Sequence, residues 1–258
     1  MERTGTANNT ERRGRAHILV ALERGVQWVL SGPVSLTLAV LTATLFGITT
    51  GFGHEVIAPF VCAGVGHPWW TIFSSLFWVK DALHLLVDVV ALLSVGVAAE
   101  RLLGSLRYLG VGLASYWFGV VLALGLARVL TLVSQTWGAL LQHQSIAGSG
   151  VMLVGALMAL SVRVPVQWRR RIQVGVGSLL LVLFGFAASL NALAALGAAL
   201  AGWAIGFLLW RRLRDSRSLP GRRLEGRVLV SLVVAGVVVG VLVSLSSPSS
   251  VGALSSLR

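Results

Sequence analysis

Apolar residues run through this chain in long stretches, interrupted by short polar segments in which arginine recurs. Runs of roughly 18 or more apolar residues can cross about 30 Å of hydrocarbon. They must be helical, because lipid offers the backbone no hydrogen-bond partner, and they lack the alternation of a membrane β-strand. The pattern predicts seven spans, at about residues 33–52, 82–99, 108–133, 145–162, 172–190, 192–210 and 228–245. Residues 1–15 are polar and predicted to be disordered. The stretch AHILVALERGVQWVL (16–30) spaces its apolar residues near helical period beside Glu23, Arg24 and Trp28, which suits an interfacial helix. The connection 53–80 holds Pro59, Pro68, Trp69, Trp70 and Trp78. Its segment PWWTIFSSLFW is too short to span and is expected to lie on or dip into the membrane, with tryptophans at headgroup level.

Three regions follow: an N-terminal tail and interfacial helix over 1–32, a six-helix membrane core over 33–210, and a basic loop, seventh span and short tail over 211–258. The arginines predict the orientation. Arg12 to Arg15, Arg101 and Arg107, Arg163 to Arg171 and Arg211 to Arg227 all fall on one side if the seven spans are real. The opposite loops carry Lys80 and, near a span end, Arg128. The positive-inside rule then puts the N-terminus in the cytoplasm and the C-terminus outside.

Composition supports the membrane reading. Hydrophobic residues make up 56% of the chain and charged residues 12%, about half the charged share of a soluble domain. The net charge of +12 raises nucleic acid as a partner. The basic residues sit in short loops beside spans, with no separate basic domain, so no nucleic acid is expected. The single cysteine, Cys62, excludes an internal disulfide and a cysteine metal site. No short apolar core followed by a small-residue cleavage site marks a signal peptide. Scarce lysine with abundant Arg, Ala, Val and Gly hints at a GC-rich bacterial genome, and so at a bacterial plasma membrane.

The candidate chemistry lies in two short signals. His84 and Asp88 stand four apart near the start of the second span, and Ser149 stands between Gly148 and Gly150 near the start of the fourth. Both spans are expected to begin outside, so all three side chains share the outer half of the membrane. His84 and Asp88 share a helix face. Ionisable groups in a span are functional candidates, and Asp88 is expected to point into the bundle, where His84, Ser149 or water satisfies it. Serine and glycine also recur at helix interfaces for packing alone, so GSG carries both readings. Asn191, near the outer end of the sixth span, reads as a helix cap or a member of the site. His17 falls in the interfacial segment, and His54, His67 and His143 in external loops. No HxxH or HExxH occurs, so no metal is expected. Gly202 with Gly206, and Gly236 with Gly240, read as packing motifs. Neither a Walker loop nor a dinucleotide fingerprint is present, and no cofactor is expected.

These residues resemble the rhomboid family of intramembrane serine proteases over roughly 33–210. Four features carry the resemblance: LFWVKDALHLLVDVVALLSVGVAAERLLGSLRYL as the second span; the long aromatic first connection; Ala147-Gly148-Ser149-Gly150 followed by Gly155-Ala156 as the fourth; and Ala195-Leu-Gly197-Ala-Ala-Leu-Ala201-Gly202 as the sixth. The resemblance implies an all-α polytopic bundle with a six-helix core plus a seventh C-terminal span. It assigns the nucleophile to Ser149 and an oxyanion role to His84. It places Asp88 where the family has Asn and Ala195 where the family has its catalytic His. The glycine two before the nucleophile is replaced by Ala147, with Gly148 one place later.

These departures weaken the family's chemistry. A serine without an adjacent base is a poor nucleophile, and a carboxylate at position 88 repels an oxyanion unless protonated. The expectation is a pseudoprotease or membrane module that binds lipid or a transmembrane partner. An active protease with Ser149 as nucleophile, with His84 as base and Asp88 orienting it, stands as one alternative. The membrane half of a larger aminoacyl-phospholipid synthase or flippase-type protein stands as another.

Overall fold

A computed structural model describes residues 25–53, 63–64, 66–134, 144–162, 166–187 and 189–213, together with Glu23 and Leu141. Its long elements are helices α1 (Pro33–Phe52), α3 (Ala82–Leu103), α4 (Ser105–Val133), α5 (Gly150–Ser161), α6 (Val166–Ala187) and α7 (Leu190–Leu213), with the single turn α2 (Thr71–Ser74) between α1 and α3. Four of them, α1, α3, α4 and Leu190–Arg211 of α7, are long and apolar enough to cross a membrane. The predicted seventh span, residues 228–245, and most of the basic loop before it lie outside the described residues. So does most of the predicted interfacial helix, although 25–30 is helical and the Arg101 guanidinium lies 4.6 Å over the Trp28 ring.

α3 organises the first half of the fold through its carboxylates. α1 opens with Pro33 and has no capping side chain of its own. Its exposed N–H groups are taken by Glu100 of α3: Val34 N donates to Oε1 at 3.0 Å and Ser35 N to Oε2 at 2.9 Å. The Ser35 and Ser105 hydroxyls donate to the same carboxylate at 2.9 and 2.7 Å. A carboxylate at a helix N-terminus satisfies orphan donors and complements the dipole. That is why Glu100, only 2% exposed, does not end the span as the pattern predicts near 99. The helix continues to Leu103 and stops at Gly104, whose φ of +85° suits glycine. A π-helical turn at Leu92–Gly96 interrupts α3 midway.

α5 is the innermost helix. Val151 to Leu153 and Gly155 to Ser161 are buried. Its 12 residues extend only about 18 Å, less than the membrane core, and Ser149 just before its first residue is buried. α4 and α7 flank it along a seam of small residues. Gly202 rests on the Gly155 backbone, Gly206 on Ala159, and Gly119 on the backbone of Ala194 and Ala198. Small side chains allow this close backbone approach, as expected for the Gly202 and Gly206 pair. Gly236 and Gly240 lie outside the described residues. Outward positions such as Leu106, Leu132 and Leu200 are exposed and apolar, as a lipid-facing surface requires.

The connection after α1 behaves in two ways. Trp69 and Trp70 are exposed, as interfacial aromatics are. Trp78, expected beside them, is instead buried in the core. Two-residue strands β1 (Ala63–Gly64) and β2 (Ser145–Ile146) pair antiparallel, Ala63 with Ile146 and Gly64 with Ser145. A helical start near 145 is the expectation; pairing holds this stretch extended, and α5 begins at Gly150.

Candidate functional site

The segment leading into α5 is fixed by four different parts of the chain. β1 pairs with Ser145 and Ile146. Asn191 of α7 accepts from Ala147 N and donates back to Ala147 O, both at 3.1 Å. Gly148 N donates to Ser75 O at 3.0 Å. Ser149 N donates to Asp88 Oδ2 at 3.0 Å. Asn191 therefore clamps this segment and does not cap its own helix. The start of α7 is taken instead by Gln144, whose Oε1 accepts from Leu190 N at 2.7 Å.

Gly148 has φ of +94°, and a methyl there would lie 2.9 Å from Asp88 Oδ2. A side chain would be strained and would also displace the carboxylate. The glycine thus makes room for Asp88 rather than for a whole helix. Gly150 is more open, with Asp88 Oδ1 3.9 Å from a methyl placed there.

Ser149 is 2% exposed and immediately precedes α5. Its hydroxyl lies near the Asp88 carboxylate but makes no hydrogen bond among the described residues. Asp88 points into the bundle and takes the backbone N–H instead. It sits at the N-terminus of α5 as Glu100 sits at that of α1.

His84 is turned the other way. Its backbone N–H donates to Asp81 Oδ1 at 2.8 Å, and its Nδ1 lies 2.7 Å from Asp81 Oδ2. The His84 side chain is 38% exposed. The carboxylate that orients His84 is therefore Asp81, not Asp88, and no bond joins His84 to Ser149. Burial pushes the Asp81 carboxyl up, but hydrogen bonds from the His84 backbone and ring, with the ring's charge, hold it below its ordinary value. Asp81 is legible in retrospect: an acid three residues before His84 at a helix start is a capping signal.

Ala195 lies on the stripe of α7 that faces α5. Asn191, Ala195, Ala198, Gly202 and Gly206 fall within roughly 80° around the helix at about 100° per residue, and the members on either side of Ala195 touch Ala147, Gly155 and Ala159. The side chain offered to α5 at position 195 is a buried methyl group.

The family model for the Rhomboid domain matches residues 66–212, more than half of the chain. The chain belongs to the rhomboid family. The matched stretch contains the whole site, from Asp81 to Ala195, whereas α1 precedes it. With its apolar helices, this rhomboid is an integral membrane protein of the all-α polytopic class. Comparison with curated proteins and with solved structures gave no match.

Proposed function

We propose that this rhomboid is a non-catalytic membrane module, a pseudoprotease whose bundle binds lipid or a transmembrane partner. The observation that carries the reading is the buried Ser149 hydroxyl, which has no hydrogen-bond partner among the described residues. An activating base must lie within about 2.6–3.2 Å of that oxygen. The rhomboid resemblance puts the base at position 195, where a methyl group can accept no proton. Asp88 adds a second obstacle. Its carboxylate occupies the Ser149 backbone N–H, a donor that a developing oxyanion would need, and when ionised it carries the same charge as that oxyanion. Loss of one oxyanion donor costs about 10²–10³ in kcat. Loss of a triad member costs about 10⁴–10⁶, so the missing base is the larger effect.

The arginine distribution supports a cytoplasmic N-terminus and a C-terminus on the opposite face, and the scarce lysine beside abundant Arg, Ala, Val and Gly supports a bacterial plasma membrane. One observation favours the active alternative. With Nδ1 facing Asp81, a neutral His84 ring protonated on Nδ1 keeps Nε2 as an acceptor, so a rearrangement that brought that nitrogen to Ser149 would offer it a base. Reconstitution of the full chain in liposomes with a model transmembrane substrate tests the proposal. The expected result is no cleavage. Cleavage lost in both Ser149→Ala and His84→Ala would establish the alternative.

A further inference from the structure

Beside the candidate site, on the outer surface of α4, lies a cavity of about 310 Å³. Trp69, Ile72, Val121 and Leu124 line it together with His67 and Arg128. The segment carrying Trp69 to Phe73 runs along α4: Trp69 meets Phe73 at 6.2 Å between ring centroids, and Phe73 meets Trp117 at 5.2 Å. From Trp117 to Arg128 is about 16 Å along the helix at 1.5 Å per residue. Arg128 is therefore near the end of α4, and Val121 lies about 10 Å deeper on the same scale. The cavity has a cationic rim and an apolar floor, and exposed Trp69 and Trp70 mark the headgroup level. Among the described residues no carboxylate lines it, and none pairs with the Arg128 guanidinium.

We propose that this cavity holds one anionic phospholipid, with its phosphate against Arg128 and the upper acyl carbons over Ile72, Val121 and Leu124. The charge selects the class: Arg128 matches an anionic headgroup, and among the described residues lining the cavity no acid meets the ammonium of a zwitterionic one. A membrane-spanning helix carrying a cation above an apolar groove matches a lipid in both depth and polarity. The site joins the segment before Ser149 directly, because Gly64 lines the cavity and pairs with Ser145. The assignment does not depend on whether Ser149 is reactive.

Native mass spectrometry of the full chain from mixed micelles tests the site. Dioleoylphosphatidylglycerol and dioleoylphosphatidylcholine are supplied in equal amounts. One cation at a membrane surface is expected to give about a fivefold preference for the anionic lipid. Arg128→Gln should abolish the preference, Arg128→Lys should retain it, and Arg211→Gln at the far end of α7 should leave it unchanged. Gly125 also lines the cavity, and a methyl there meets nothing within 4 Å. Gly125→Leu should therefore place apolar atoms in the space and lower the amount of tightly bound lipid. Equal retention of both lipids, or a preference that survives Arg128→Gln, would overturn the proposal. Displacement of the bound lipid by equimolar glycerol phosphate would overturn the lipid assignment in favour of a free phosphate site.

Discussion

Gly148, Asp88 and Ser149 depend on one another within a few ångströms. The left-handed backbone at Gly148 turns the Ser149 N–H toward Asp88, and the absent side chain leaves the carboxylate its place. Gly148→Ala is expected to lower stability by about 1–3 kcal/mol from backbone strain alone, read as a fall in unfolding midpoint in detergent. Asp88→Ala should cost about 1–3 kcal/mol, because the Ser149 N–H at a buried helix start loses its acceptor. Asp88→Asn keeps an acceptor oxygen and should cost less; equal losses for the two variants would show that the hydrogen bond is not what matters. Sequence spacing puts Asp88 and Ser149 at one depth, since both fall in the outer halves of their spans, and leaves His84, Ser149 and water as partners of the acid. It does not suffice to say that the backbone N–H, and not the hydroxyl, is the group bound. Nor does it choose between Asp81 and Asp88 as the partner of His84. Both acids lie about a helical turn from His84, one on each side along the helix, and the rotamer of the side chain decides.

Among the elements, α3 fixes its neighbours by lending carboxylates to their first turns. Glu100 accepts four hydrogen bonds from α1 and the start of α4. Glu100→Ala should detach the start of α1 and cost about 1–3 kcal/mol, because buried donors of α1 lose their acceptor. Accelerated proteolysis between α1 and α3 would report it, and an unchanged cleavage pattern would count against the cap. At the other end of α3, Asp81 caps the first turn and its carboxyl titrates below the ordinary value of 3.8. Its stabilising contribution is complete above that value and is lost as pH falls through the lower folded-state value. Thermal midpoints measured from pH 6 down to pH 3 should fall less steeply for Asp81→Asn than for the native chain. The helical run and its approximate start at Ala82 are legible from hydropathy. Its end is not, because Glu100-Arg101 reads as a charged boundary until the partners that neutralise Glu100 are seen. The start of α5 is misread for a related reason: residues 145–149 adjoin an apolar helical run, and only long-range bonds from β1, Ser75, Asp88 and Asn191 hold them out of the helix, with 145–146 as strand and Gly148 left-handed.

At the scale of the whole molecule, a short central helix is enclosed by longer ones, and its first turn lies inside the bundle. Small residues set the spacing along α7. Gly202→Leu should therefore separate α5 from α7 and destabilise the fold more than Gly125→Leu, which faces open space. The all-α membrane class, the rhomboid resemblance and the small-residue seam are all legible in the chain, because apolar runs and glycine spacing are local properties. The β1 and β2 pair is not, since two-residue strands leave no periodicity to read.

On the reading proposed above, Ser149 stands at the family's nucleophile position but is not activated. The most direct measurement is fluorophosphonate labelling of the full chain in liposomes, followed by identification of the labelled residue. No label is expected on Ser149 in the native chain, and none in Asp88→Asn, which removes the carboxyl group but supplies no base. Label appearing on Ser149 in Ala195→His would support that position as the one facing the serine. Label on Ser149 in the native chain, abolished by Ser149→Ala and by His84→Ala, would contradict the account and make this rhomboid a protease.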